Sequence, residues 1–274
     1  MSAHKSHMTR RDCWPASWLA ADLPGARLLS VEYKAPVTGW EGESLSLPDS
    51  GRLLLDKLLA AGVGERPVVF VAHSMGGLLV KEMLSLSLDE APGSKRASLA
   101  AATKAVAFYS TPHFGSSMAA LGWKLRHLPG ASPAPSIHHL SPGPHLAALN
   151  ARLAVLHESG RVQVLSFTEG LPTSLAGLGF IPKILIVPFE SAYPGFGAVH
   201  VLGAQDHIDV CKPGSRQAPA YAELVQFVRG SMAAAGVAAA AVAAVPEDAE
   251  SGGSGSSSCT EEGRSGGAAV ADAQ

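Results

Sequence analysis

The chain has 274 residues, 47% of them apolar and 6% aromatic, with a formal charge of −2. That is enough apolar chain for one substantial core with a loose tail, and so balanced a charge leaves no electrostatic footprint for nucleic acid. Cys13, Cys211 and Cys259 are odd in number and far apart, which excludes a zinc-type cysteine set and suits a reducing compartment better than a disulfide framework.

Residues 1–12 carry Lys5, Arg10 and Arg11 but lack the apolar centre of a signal peptide, so they read as an unstructured or truncated start. Residues 13–236 read as one α/β domain. Ala26 to Tyr33 is the first apolar, β-branched run, followed by a helical pattern over Ser50 to Ala61. Pro67 to Ala72 is the second run. Leu78, Leu79, Met83 and Leu84 then recur at helical spacing through Met75 to Leu88. A third run spans Lys104 to Ser110.

Residues 115–143 interrupt this rhythm with Trp123 and a cluster of prolines. So long a connection reads as a cap over a site, with Trp123 as a substrate contact, or as a surface insertion. Helical spacing returns over Pro144 to Glu158, strand-like runs over Val162 to Thr168 and Lys183 to Phe189, and a helical pattern over Ala218 to Met232. Continuous apolar strands alternating with helices imply a mostly parallel sheet covered on both faces. Ala233 to Val245 is apolar, but at about thirteen residues it is shorter than the ~20 needed to span a bilayer. Residues 237–274 become Ala-, Gly- and Ser-rich, the composition of a disordered tail.

The chemistry concentrates where the second strand meets its helix, at Ala72-His73-Ser74-Met75-Gly76. Small residues flank the serine, as a sharp strand–turn–helix requires when it lifts a hydroxyl clear of its neighbours. A helix cap would explain a serine before a helix, but not the buried strand, His73 and the paired glycines as well. Ser74 is therefore the candidate nucleophile. A serine hydroxyl needs a base and an acid that orients the base, in the chain order serine, acid, histidine for this architecture. His207 follows the last strand-like run and is the candidate base. Glu169, Glu190 and Asp206 are the candidate acids, Glu169 favoured because it closes a strand one element before the histidine loop. His138, His139 and His145 precede any later acid and fall to the cap region, whereas His73 and His113 sit at strand ends as structural partners or pocket liners. His113 is carried forward with Trp123 as a substrate contact. No cofactor or metal is required by this chemistry.

Several separated motifs also resemble one family, the serine active site-containing proteins. These are α/β-hydrolase-fold lipid hydrolases related to glycosylphosphatidylinositol inositol-deacylase lipases. The resemblance is carried by Cys13-Trp-Pro-Ala-Ser-Trp-Leu19, by Leu29-Ser-Val-Glu-Tyr33 with Trp40 after it, by Ala72 to Lys81, by Tyr109 to Ser116, by Phe167-Thr-Glu-Gly-Leu-Pro-Thr173 and by Asp206 to Pro213. It implies Ser74, Glu169 and His207 as a catalytic triad, a lipid or acyl-ester substrate and no cofactor. It further implies peripheral membrane contact and a mitochondrial or endoplasmic-reticulum setting. In that fold Met75 supplies one oxyanion-hole amide, and a strand with a His-Gly turn upstream of Cys13 supplies the other. That strand is missing from the sequence, for which a truncated gene model is the preferred explanation and a genuine short isoform the other; Arg27 to Tyr33 must then pair with the elbow strand or leave an edge open. A non-catalytic binding protein on the same fold is the alternative reading.

Overall fold

The computed structural model describes residues 13–33, 45–116, 140–174 and 183–243. Pro15–Leu19 forms a π-helical turn that continues as α1, Ala20–Asp22. There follow α2 (Leu47–Ala60), β1 (Val68–His73), α3 (Met75–Leu88), α4 (Ser98–Ala102) and β2 (Thr103–Tyr109). The remaining elements are α5 (Pro144–Glu158), β3 (Gln163–Glu169), α6 (Phe189–Ala192), β4 (Ala198–Leu202) and α7 (Pro219–Ala243). The four strands lie in chain order, every neighbouring pair parallel.

Strand alternation sorts the side chains into two layers. Ala72, Val106, Phe108 and Val164 pack with Leu54 and Leu55 of α2, Leu78, Leu79 and Met83 of α3, and Leu149 and Leu153 of α5. Ala107, Tyr109, Leu165 and Phe167 face Ala220, Leu224 and Val228 of α7. Each fully buried apolar side chain of this kind is worth roughly 1.5–3 kcal/mol, and α2 and α3 each bury five of them. This is the α/β-hydrolase architecture, a parallel sheet sandwiched by helices with an elbow between β1 and α3.

Three expectations need correction. Ala26 to Tyr33 is extended but pairs with no strand among the described residues; Arg27 donates to the Ala61 carbonyl and Arg66 to the Gly25 carbonyl, while Leu28, Leu29 and Val31 face solvent. β1 is consequently left with an open edge among the described residues, and Val71 on it is exposed. Lys183 to Phe189 is no strand either, because its amides are used elsewhere. Ile184 exchanges a single bridge with Thr173, and the Ile186 and Val187 amides are spent on the Glu169 side chain. The fourth strand is instead Ala198–Leu202, a five-residue edge too short and too mixed to stand out in the sequence. Finally, α7 continues to Ala243, so residues 237–243 are helical rather than tail, in keeping with alanine's helix propensity.

The compact unit ends at Val237, and the unit beginning at Ala238 is described only to the end of α7. Trp123 and most of the expected cap lie outside the described residues. Among the described residues, no helix is long and apolar enough to cross a membrane.

Candidate active site

β1 delivers the chain to Ser74, whose backbone adopts φ 54° and ψ −129°. A side chain other than glycine rarely occupies this region, and holding it there costs on the order of 1–3 kcal/mol. Two contacts hold it. The Ser74 amide extends the sheet ladder by donating to the Tyr109 carbonyl at 2.8 Å, and Gly77 donates back to the Ser74 carbonyl at 3.0 Å. Gly77 is required by space: a Cβ there would fall 2.1 Å from Thr111 Oγ1 and 2.8 Å from the Phe108 ring. At Gly76 a Cβ would meet the Tyr33 hydroxyl at 3.1 Å. The elbow thus presses α3 against the end of β2.

The Ser74 hydroxyl makes no helix-capping bond. It lies 2.9 Å from His207 Nε2, and His207 Nδ1 lies 2.5 Å from Glu169 Oε2. A carboxylate only accepts, so Nδ1 carries a proton, and in the neutral imidazole Nε2 then offers its lone pair to the serine hydroxyl. The Glu169 side chain is fully buried at 0% exposure. Its other oxygen accepts from the Ile186 amide at 2.7 Å and the Val187 amide at 3.1 Å. Burying a carboxylate is costly unless donors converge on it, and three do. Its own amide donates to Ser110 Oγ at 3.1 Å, and Ser110, at φ 42°, is the second residue other than glycine with a left-handed backbone.

The competing acids stand elsewhere. Glu190 lies exposed in the single turn of α6. Asp206 is spent locally, Oδ1 accepting from the Ile208 amide at 2.9 Å and the Asp209 amide at 3.0 Å. It thereby turns the loop that carries His207. That loop has further ties: the His207 amide donates to Thr173 Oγ1 at 3.0 Å, and the Trp14 indole donates to the Cys211 carbonyl at 3.0 Å. So the Cys13-Trp-Pro segment braces the far end of the histidine loop. Met75 begins α3, and its amide donates to no backbone carbonyl among the described residues. It is available to an oxyanion.

His113 is 0% exposed and packs edge-on against Phe108, with both ring nitrogens unpartnered among the described residues. In this conformation it offers no surface to a substrate. Burial, with Lys81 nearby, holds its pKa well below the usual histidine value. His145 pairs with Glu82 at 3.0 Å on the first turn of α5 and belongs to the helix layer rather than to a cap. His138 and His139 lie outside the described residues. Ser110, Thr173 and the two Glu169-binding amides were not singled out in the sequence; their roles depend on loops meeting in space, and no local pattern marks them. Among the described residues, no group of three or more histidines, cysteines or acids is placed to hold a metal ion.

Protein SERAC1 of Danio rerio is 41% identical over 228 residues, which cover 81% of this chain and 33% of that protein. The Homo sapiens protein of the same name is 38% identical over 226 residues, again covering 81% of this chain and 33% of that protein. The chain thus spans about a third of the length of the curated relatives it matches. No protein-family model matches it. Among solved structures, the mature Bacillus licheniformis lipase BlEst2 aligns at TM-score 0.46 and 18% identity, covering 66% of this chain and 74% of that one. Phospholipase PlaB from Legionella pneumophila, in complex with thio-NAD, aligns at TM-score 0.38 and 15% identity, over 51% and 29% of the two chains.

Proposed function

We propose that the chain is a serine hydrolase acting on lipid-type acyl esters through an acyl-enzyme on Ser74. One observation carries this reading: the unbroken relay from Ser74 Oγ to His207 Nε2 at 2.9 Å and from His207 Nδ1 to Glu169 at 2.5 Å. Ser74 Oγ attacks the acyl carbonyl while His207 Nε2 takes its proton, and Glu169 orients the imidazole and stabilises its cationic form. The developing oxyanion lies toward the Met75 amide at the positive end of α3. Collapse of the tetrahedral intermediate expels the alcohol, which leaves with the proton from Nε2. Water then attacks the acyl-enzyme, giving its proton to His207, and the carboxylic acid departs. A second alcohol in place of water gives acyl transfer.

The lipid class rests on apolar residues beside the site and on the resemblance. Phe114, Leu171 and Ile208 are exposed on segments leaving the sheet at the end that bears Ser74, and buried acyl carbons repay about 0.8 kcal/mol per methylene. Peripheral contact with a mitochondrial or endoplasmic-reticulum membrane, and kinship with inositol-deacylase lipases, belong to the same reading.

A non-catalytic binding role is the second reading, favoured by the single oxyanion amide identified among the described residues. Losing one such donor costs roughly 10²–10³-fold in kcat, which slows an esterase without abolishing it. Hydrolysis of p-nitrophenyl acetate, butyrate and octanoate by the wild type and Ser74→Ala decides between them. Serine-dependent turnover that rises with acyl length is expected; equal rates in the two proteins would overturn the enzyme reading.

A further inference from the structure

His73 lies beside the catalytic relay but takes no part in it. It is the last residue of β1, and alternation along the strand sets it on the opposite face from Ala72, which packs in the α2–α3–α5 layer. His73 is thereby turned toward the loop after β4. Its Nε2 lies 2.8 Å from the His207 main-chain carbonyl, and the two rings are tilted with centroids 4.9 Å apart. A carbonyl only accepts, so His73 Nε2 must carry a proton.

We propose that His73 is a positioning residue, a neutral Nε2–H donor that holds the His207 carbonyl and so fixes the catalytic base over the nucleophile. The proposal rests on the serine-hydrolase reading of the same site. The His207 backbone is then held at both ends, its amide by Thr173 Oγ1 and its carbonyl by His73. One peptide bond joins His73 to Ser74, so a single hydrogen bond ties base to nucleophile through the end of β1. Thr173 and Trp14 bind the loop from other segments and fix its place in the fold; His73 alone among these ties is covalently adjacent to the attacking hydroxyl. Burial, reinforced by the His207 ring, pushes the His73 pKa down to about 4, so the donor stays neutral while the base works and does not compete with it for a proton.

Removing the tie leaves the His207 ring bonded to Glu169 but frees its backbone, and an error of about 1 Å in a reacting group costs on the order of 10²-fold in rate. The test compares His73→Leu, which cannot donate, with His73→Gln, whose side-chain amide can. With p-nitrophenyl butyrate, His73→Leu should lower kcat about 10- to 100-fold with KM within about twofold, and His73→Gln should recover most of the loss at a similar thermal midpoint. A folded His73→Leu with wild-type kcat, or a His73→Gln as slow as His73→Leu, would overturn the proposal. Because the leucine variant could fail to fold, a second readout uses the wild type: long-range proton–nitrogen NMR correlations of the imidazoles at pH 6. Neutral His73 protonated on Nε2 is expected; an Nδ1–H tautomer or a doubly protonated ring contradicts the clamp. If the wild type neither turns over esters nor reacts at Ser74, the hydrolase reading fails, and the tautomer still decides whether the clamp exists.

Discussion

The carboxylate of Glu169, at the end of β3, and the side-chain nitrogen of Lys81, on α3, are both buried, but their surroundings differ. Glu169 accepts from two main-chain amides and from the His207 imidazole. Lys81 Nζ donates to Asn150 Oδ1 at 2.6 Å, and both nitrogens of His113 nearby have no hydrogen-bond partner among the described residues. Burial drives the Lys81 pKa well below its usual value, and His113 likewise. In the first region donors have been assembled around an anion. In the second, desolvation disfavours the cationic forms. Polar burial by itself therefore does not mark the working site; converging donors do.

The largest expected effect separates Glu169 from the other acids. Glu169→Gln puts an amide opposite His207 Nδ1 and favours the wrong imidazole tautomer, so kcat should fall about 10³–10⁴-fold. Glu190→Gln, on the exposed turn of α6, should change it less than about twofold. Steady-state kinetics on a short acyl ester make the comparison. The reverse ranking would move the acid role to Glu190.

Stability distinguishes the two buried groups next. Glu169→Leu leaves three donors facing an apolar side chain and should cost about 3–5 kcal/mol. Lys81→Met preserves length, removes the burden of desolvating an amine and leaves one acceptor on Asn150, so its cost should stay within about 1 kcal/mol. Chemical denaturation of the two variants checks this. Equal destabilisation would mean that Lys81 carries a charge the fold depends on.

The smallest effect is on the pH dependence of stability. Below about pH 6.5 the unfolded chain takes up a proton on each histidine, whereas folded His113 refuses it, so stability falls as the pH is lowered through that range. His73 acts in the same sense down to about pH 4. It does so beside the opposing Glu169 carboxylate and with Lys212 and the His207 ring reinforcing burial. Glu82, raised by burial, acts in the opposite sense, in the carboxylate range. Thermal melts at pH 7 and pH 5 should show a smaller drop for His113→Phe than for the wild type. An identical drop would mean that His113 is not held neutral by its burial.

What could be read beforehand were features written into short stretches. The β1–Ser74–α3 elbow announces itself because a β-branched run, two small flanking residues and a helical leucine pattern fall within twenty residues or so. Ser74, Glu169 and His207 could be ordered by chain position, and the structure brings those three side chains together. Tertiary competition was not legible. Ile186 and Val187 have the composition of a strand, yet their amides go to Glu169. Ala198–Leu202 looks weak in isolation and becomes a strand because β3 offers it a ladder. The Trp14 indole meets the Cys211 carbonyl across 197 positions of sequence, a distance over which no periodicity speaks. His73 showed itself as a residue of the elbow, but its bond to the His207 carbonyl required the loop to be in place.

The most direct test of the Ser74–His207–Glu169 assignment is mass-spectrometric mapping of the adduct formed with a fluorophosphonate, since an activated serine attacks phosphorus as it attacks an acyl carbon. Modification should appear on the peptide containing Ser74, should vanish in Ser74→Ala and should slow at least about a hundredfold in His207→Ala, where the hydroxyl has lost its base. Labelling of the wild type and Ser74→Ala to the same extent, or modification of Ser74 at an unchanged rate without His207, would contradict it.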